Sequence, residues 1–169
     1  DGAVELRGGD ELQRREMLQE AVEICPMAAT AWFELGLIHQ NAAEWEDSLR
    51  HYDYVLMLEP SHFYALANRP LSLENLGRLD EAIAAYTLLL DHAQSNPIVW
   101  RNRSWLHLTM GNYALAEADA RKAVTLDPSN VKGHSHLGNA LRGQGKEAAA
   151  NRSFQSAAKL GSSALQEFF

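Results

Sequence analysis

The chain has 169 residues, is 46% hydrophobic and 22% charged, and carries a formal net charge of -7; it has enough apolar content for a packed core and the wrong sign for nucleic acid, whose phosphates require clustered Lys and Arg. No uncharged apolar run approaches the roughly 18 residues that span a bilayer, and the opening DGAVELRGGDELQRR lacks the apolar centre of a secretory signal. The single cysteine, Cys25, excludes an internal disulfide and is a poor redox or metal centre alone, so it reads as a packing residue at a helix end.

Taken in chain order, residues 1–28 contain GDELQRREMLQEAVEICP, which reads as the second helix of an incomplete N-terminal repeat, with Leu18 and Ala21 on its packing side and Pro26 beyond its end. Residues 29–62 read as a helical hairpin. Trp32, Leu35, Gly36 and His39 follow the i, i+3, i+4, i+7 pattern, Ala43 marks a break, and Ser48, Tyr52 and Val55 lie on a second helix closed by Glu59-Pro60. Proline disfavours helical geometry in the residue before it, which is why such a pair stops a helix.

The same plan recurs with a step of 34 residues. Residues 63–96 carry Leu66, Gly77, Ala82, Tyr86 and Leu89, with Gln94 where a closing proline is expected. Residues 97–130 carry Trp100, Ser104, Gly111, Ala116, Ala120, Ala123 and Asp127-Pro128. Residues 131–162 carry His134, Leu137-Gly138, Gly145, Ala150, Phe154 and Ala157, with His134 expected in the core. Residues 163–169 read as the start of a capping helix or of a further repeat. Small residues in the second helices let two backbones approach, and an aromatic one turn later fills the remaining gap.

The tryptophan, the Leu-Gly pair, the turn glycine, the small residue, the aromatic and the closing proline resemble the tetratricopeptide repeat. The resemblance implies an all-α fold, a right-handed superhelical solenoid of antiparallel helix pairs, with four full repeats at 29–62, 63–96, 97–130 and 131–162. It also implies a concave surface lined by first helices that holds a peptide or a segment of a partner protein. Pro70 departs from the pattern, standing where a small residue is usual, and interrupts helical hydrogen bonding to Leu66. Either the stack tolerates it or it kinks the helix and shapes the groove.

The helix face opposite the core stripe offers Thr30, Phe33, Leu37 and Asn41, then Tyr64, Asn68 and Leu71, then Ile98, Arg101, Asn102 and Trp105, then Lys132, His136, Asn139 and Arg142. An apolar strip with aromatic anchors thus leads into basic and amide groups, the mixture expected of a peptide groove. Charge follows the same gradient: residues 1–84 carry 6 basic and 16 acidic side chains, whereas residues 85–169 carry 9 and 6. An acidic side chain or a free carboxyl terminus is therefore expected near the third and fourth repeats. One branch of the family clamps chaperone tails with lysine, arginine and asparagine from successive first helices. Only Asn102 and Lys132 match that clamp, while Ala67, Leu71 and His136 replace its other members, so the full clamp is absent.

No acid–base pair has suggestive spacing, and Glu46-Asp47 and Asp80-Glu81 read as first-turn acids that complement helix dipoles. His134 and His136 project about 200° apart on a helix and no further ligand follows at metal spacing, so no metal or cofactor is expected. The expectation is a non-enzymatic adaptor, soluble, of unassigned compartment with the cytoplasm favoured, lacking nucleic-acid binding and membrane insertion. Two alternatives stay open: a repeat segment presenting substrate to a separate catalytic domain, and a scaffold that self-associates through its terminal repeats.

Overall fold

A computed structural model describes the backbone of residues 2–166 and the side chains of residues 12–162. Every regular element among the described residues is a helix: α1 (Gly2–Ile24), α2 (Ala29–Asn41), α3 (Trp45–Leu58), α4 (Phe63–Asn75), α5 (Leu79–Leu90), α6 (Pro97–Thr109), α7 (Tyr113–Leu126), α8 (Val131–Gly143) and α9 (Glu147–Gln166). Two compact units divide within α5, after Ala85. In the first, α2 packs against α1 and α3, and α3 against α4; in the second, α7 packs against α6 and α8, and α8 against α6 and α9.

Local chemistry sets the helix ends. His62, Asn96 and Asn130 occupy N-caps and accept hydrogen bonds from Ala65 N, Ile98 N and Gly133 N at 3.2, 3.0 and 2.9 Å, satisfying donors that the first turn leaves free. Glu59 and Asp127, each before a proline, adopt extended backbone with φ of -134° and -137°, as proline demands of its predecessor. The hairpin turns need a left-handed residue: Gly77, Gly111 and Gly145 have φ of 72°, 74° and 74°. Ala43 takes the same role at φ 59°, a conformation that costs a residue with a Cβ about 1 kcal/mol.

The core is built from the repeated columns. Ser48, Ala82, Ala116 and Ala150 are fully buried, and so are Val55 and Ala123, with Leu89 and Ala157 nearly so. In the first unit Tyr52 lies flat on Gly36, where an added Cβ would meet the ring at 2.6 Å. In the second, Phe154 lies on Gly138, with a corresponding distance of 2.5 Å. Where Ser104 replaces the glycine, the aromatic is replaced by Ala120, and the serine Oγ donates to Ala116 O at 2.9 Å. Volume is thereby exchanged across the hairpin.

The tryptophan column ties α2, α6 and α8 to the preceding turn, whereas α4 carries Leu66 at this position. Trp32 Nε1 donates to Pro26 O and Trp100 Nε1 to Gln94 O, both at 2.8 Å. His134 was expected in the core but is only half-buried, and its Nε2 bonds to Pro128 O at 3.0 Å. An imidazole N–H can do what the indole N–H does, so His134 keeps the hydrogen bond at this position while filling less volume. Cys25, expected to pack, is exposed in the turn after α1, because the chain leaves the helix there. No new element starts at residue 163. Instead α9 continues to Gln166, since SSALQ contains no residue that breaks a helix; residues 167–169 lie outside the described residues.

Helix α4 runs through Pro70 without a break, and the ring is among the most deeply buried side chains. Replacing it with Ala recovers about 3 kcal/mol of helix preference and gives up roughly two buried methylene groups at about 0.8 kcal/mol each. Pro70→Ala is therefore expected to raise the thermal unfolding midpoint, by a net gain of about 1 kcal/mol; a lowered midpoint in calorimetry would mean that the local packing is built around the ring.

A buried polar cluster sits in the second unit. Arg103 holds Asp119 through two hydrogen bonds of 2.7 and 2.8 Å, with His107 Nε2 3.9 Å from the same carboxylate. His107 is itself buried and its Nδ1 has no partner among the described residues. Burial holds the imidazole below its ordinary range, an effect that Asp119 opposes and Arg103 reinforces. The folded state thus binds this proton less readily than the unfolded chain, so the contribution is complete above the unfolded pKa of about 6.5 and is lost progressively as pH falls from there through the lower folded-state pKa. The midpoint should drop as pH is lowered from about 7 to about 5, and His107→Gln should make that slope shallower in thermal melts.

Candidate functional site

First helices alternate with second helices along the chain, so the stripe opposite each core stripe is left at the surface. Every sequence-predicted site residue occupies such a position, exposed or half-buried. In the first unit, Phe33 and Leu37 pack partly against the cluster of Ala29, Tyr52, Val55 and Ala65. The Phe33 ring lies 5.1 Å from His62 and 6.1 Å from Tyr64, making a small aromatic patch whose outer members, Phe63 and Tyr64, are 43% and 64% exposed. Asn68 Nδ2 donates to Tyr64 O at 2.8 Å, and its Oδ1 accepts from Gln40 Nε2 at 3.4 Å. Leu71 and Asn41 are exposed beside this patch's helices. The patch is apolar, with amides whose hydrogen bonds are largely internal.

The second unit brings together a different set. Trp105 on α6 is half exposed and stacks on His136 of α8 at 5.6 Å and 31°. His136 Nδ1 lies 3.3 Å from Arg101 O. Burial pushes the His136 imidazole below its ordinary range, with the Arg101 carbonyl opposing and the Arg101 and Lys132 charges reinforcing, so the ring is neutral near pH 7. Asn102 joins the face to the core: its Nδ2 donates to Tyr86 Oη at 3.1 Å, and its Oδ1 accepts from Arg101 at 3.0 Å. Ile98, one turn before Arg101, is 50% exposed.

Next to this face lies a pocket of about 340 Å³ lined by Trp105, Leu108, Thr109, Tyr113, Asn139, Arg142 and Gly143. The Arg142 guanidinium donates to Asn139 Oδ1 at 3.0 Å and lies 5.2 Å from the centre of the Phe154 ring. Tyr113 can form one wall because residue 143 is glycine; an added Cβ would meet its ring at 2.4 Å. Leu108, Thr109, Tyr113 and Gly143 were not among the sequence-predicted residues. Tyr113 starts a second helix and so lies outside the surface stripe of the first helices.

Charge on this face is distributed unevenly. Arg103 is neutralised by Asp119, while Arg121 and Lys146 both hold Glu117, whose carboxyl is held down to about 2 chiefly by the Lys146 hydrogen bond. Arg101, Lys132 and Arg142 have no carboxylate partner among the described residues. The arrangement can accept an anion beside an apolar side chain.

Two family models, each described as Tetratricopeptide repeat, match residues 34–97 and 97–130. The small glutamine-rich tetratricopeptide repeat-containing protein 2 of Saccharomyces cerevisiae is 35% identical over 82 residues, covering 48% of this chain and 21% of that protein. The Hsp70-Hsp90 organizing protein of Triticum aestivum is 35% identical over 79 residues, covering 47% of this chain and 14% of its own length. The match thus spans about a fifth or less of these relatives. Among solved structures, a crystal structure of MamA superposes with a TM-score of 0.88 at 14% identity, over 98% of this chain and 96% of that one, which establishes the fold. The second TPR of Spaghetti (RPAP3) bound to the HSP90 peptide SRMEEVD gives 0.57 at 26% identity, over 59% of this chain and 93% of that one.

Proposed function

Since the chain belongs to the tetratricopeptide repeat family, we propose that it is a protein–protein interaction module without catalytic activity of its own, and that its second unit holds an extended, acidic segment of a partner on the face of α6 and α8. The observation that carries this reading is the trio Arg101 on α6 and Lys132 and Arg142 on α8, cations without carboxylate partners among the described residues, of which Arg142 lines the pocket with Trp105. A carboxylate of the partner would complete the pairing that Asp119 and Glu117 supply elsewhere in the unit. A structural neighbour bound to the acidic peptide SRMEEVD supports that ligand class for the fold. An apolar side chain seated against Trp105 and Tyr113 would supply the hydrophobic part of the affinity. No helix among the described residues is long and apolar enough to cross a membrane.

Charge-assisted hydrogen bonds contribute about 1.5 to 3 kcal/mol when shielded and less when salt screens them. The test uses two fluorescently labelled octapeptide pools. One combines apolar residues with Glu, Asp and a free carboxyl terminus; the other replaces these with Gln, Asn and an amide. The acidic pool should bind more tightly and weaken with salt, and replacing Arg101 and Lys132 together by Ala should weaken it by roughly tenfold or more while leaving the neutral pool nearly unchanged. Equal losses for the two pools, or indifference to salt, would remove the anionic part of the reading. In the same titrations Trp105→Ala should cost about 2 kcal/mol or more in binding with helicity preserved, because the indole is half exposed. Unfolding of that variant would make Trp105 a packing residue.

A further inference from the structure

The hairpin turn between α2 and α3 carries side chains that its fold does not require. All four turns close with the same backbone bond: Glu44 N to His39 O at 2.9 Å, Arg78 N to Leu73 O at 2.9 Å, Asn112 N to His107 O at 2.8 Å and Lys146 N to Leu141 O at 2.9 Å. At the first, the described residues bring three side chains of metal-ligand type together across the turn. His39 ends α2 and is 5% exposed; Glu44 is the N-cap of α3, and Asp47 lies in its first turn. The three corresponding positions are Leu73, Arg78 and Glu81 in the second hairpin, His107, Asn112 and Leu115 in the third, and Leu141, Lys146 and Ala149 in the fourth. His107, at the corresponding position, faces Asp119 through Nε2 at 3.9 Å and leaves Nδ1 without a partner among the described residues, so the fold does not require a carboxylate at that nitrogen.

We propose that His39, Glu44 and Asp47 form a binding site for a divalent transition-metal ion, with zinc(II) as its representative. One ligand atom from each lies within 4.8 Å of the others, and His39 Nδ1 is 2.6 Å from Glu44 Oε2. An ion held at about 2.0 to 2.2 Å from an imidazole nitrogen and carboxylate oxygens needs donors roughly 3.3 Å apart. The histidine and Glu44 must therefore separate slightly while Asp47 closes in. Both carboxylates can turn, being 41% and 37% exposed, whereas the buried histidine is the fixed member. The mixture of one imidazole with two carboxylates suits zinc and its first-row neighbours better than calcium or magnesium, which prefer all-oxygen shells. The solvent-facing side leaves a coordination position for water.

Two arginines compete with the ion. Arg50 pairs with Asp47, but its side chain is 76% exposed, and such surface pairs contribute little. Arg15 of α1 approaches Glu44 at 3.5 Å and stays nearby as a repulsive charge. His51, whose ring is 4.9 Å from that of His39, borders the site on α3.

Zinc chloride titrated calorimetrically into the full chain should bind with one-to-one stoichiometry at micromolar concentration and raise the unfolding midpoint; magnesium chloride should do neither. Glu44→Gln and Asp47→Asn alter partly exposed side chains, so the metal-free midpoint should hold while zinc affinity falls by roughly tenfold or more in each. Arg50→Ala should tighten binding by removing the competing charge. His92→Ala, at an exposed histidine remote in sequence, should leave it unchanged. Absence of saturable binding at micromolar zinc overturns the proposal, as does zinc affinity that survives both carboxylate substitutions or falls with His92→Ala.

Discussion

Close approach of the paired helices governs this protein. In the hairpin of α2 and α3, Tyr52 rests on the backbone of Gly36; in that of α8 and α9, Phe154 rests on Gly138. A methyl group at either glycine would occupy space the ring already fills, so helix separation, ring rotamer and residue identity are settled together. The third hairpin reaches the same end differently. Ser104 adds a side chain where glycine is absent, Ala120 removes one where the aromatic is absent, and the serine hydroxyl is satisfied by Ala116 O. The two sides of the contact change together, although the Ser–Ala pair fills less volume than a glycine facing an aromatic.

Once the hairpins are closed, each first helix has one stripe committed to packing and another left at the surface, and these stripes acquire different chemistry in the two units. In the first, Phe33, His62 and Tyr64 cluster by ring contacts, and the polar groups of Gln40 and Asn68 turn to each other and to the backbone. In the second, two carboxylates, Asp119 and Glu117, absorb Arg103, Arg121 and Lys146, while Arg101, Lys132 and Arg142 have no carboxylate partner among the described residues. A cation without an internal partner remains available for an external one, whereas a buried pair such as Arg103 and Asp119 is costly to disrupt. That difference is what the proposed acidic ligand rests on.

The turns show how a repeat can diverge without losing its fold. Their backbone requirement is a single left-handed residue, met by glycine three times and by Ala43 once. The flanking positions are free to vary, and in the first turn they hold a buried imidazole next to two carboxylates. The same freedom accounts for the His134 substitution, in which a different ring performs the hydrogen bond made by Trp32 and Trp100.

Period, helix type and the packing columns were legible in the sequence because each depends on local spacing: a 34-residue step, small residues facing aromatics, glycines at turns and an extended residue before proline. The surface stripe was legible for the same reason, since a residue opposite the core stripe of a helix reaches solvent. Features that depend on which neighbours meet were decided only by tertiary structure. Cys25 had helical neighbours but emerged in an exposed turn, and the His134 ring had a backbone acceptor six residues back that spacing alone did not reveal. Tyr113 entered the pocket from a second helix because Gly143 left room for its ring. His39, Glu44 and Asp47 belong to two helices, so no single helical period relates them; the turn at Ala43 brings them together. Sequence determines what each element is, because hydrogen bonding and side-chain period act over a few residues, whereas pairing of charges, filling of volumes and convergence of ligands require that separate elements already be in place.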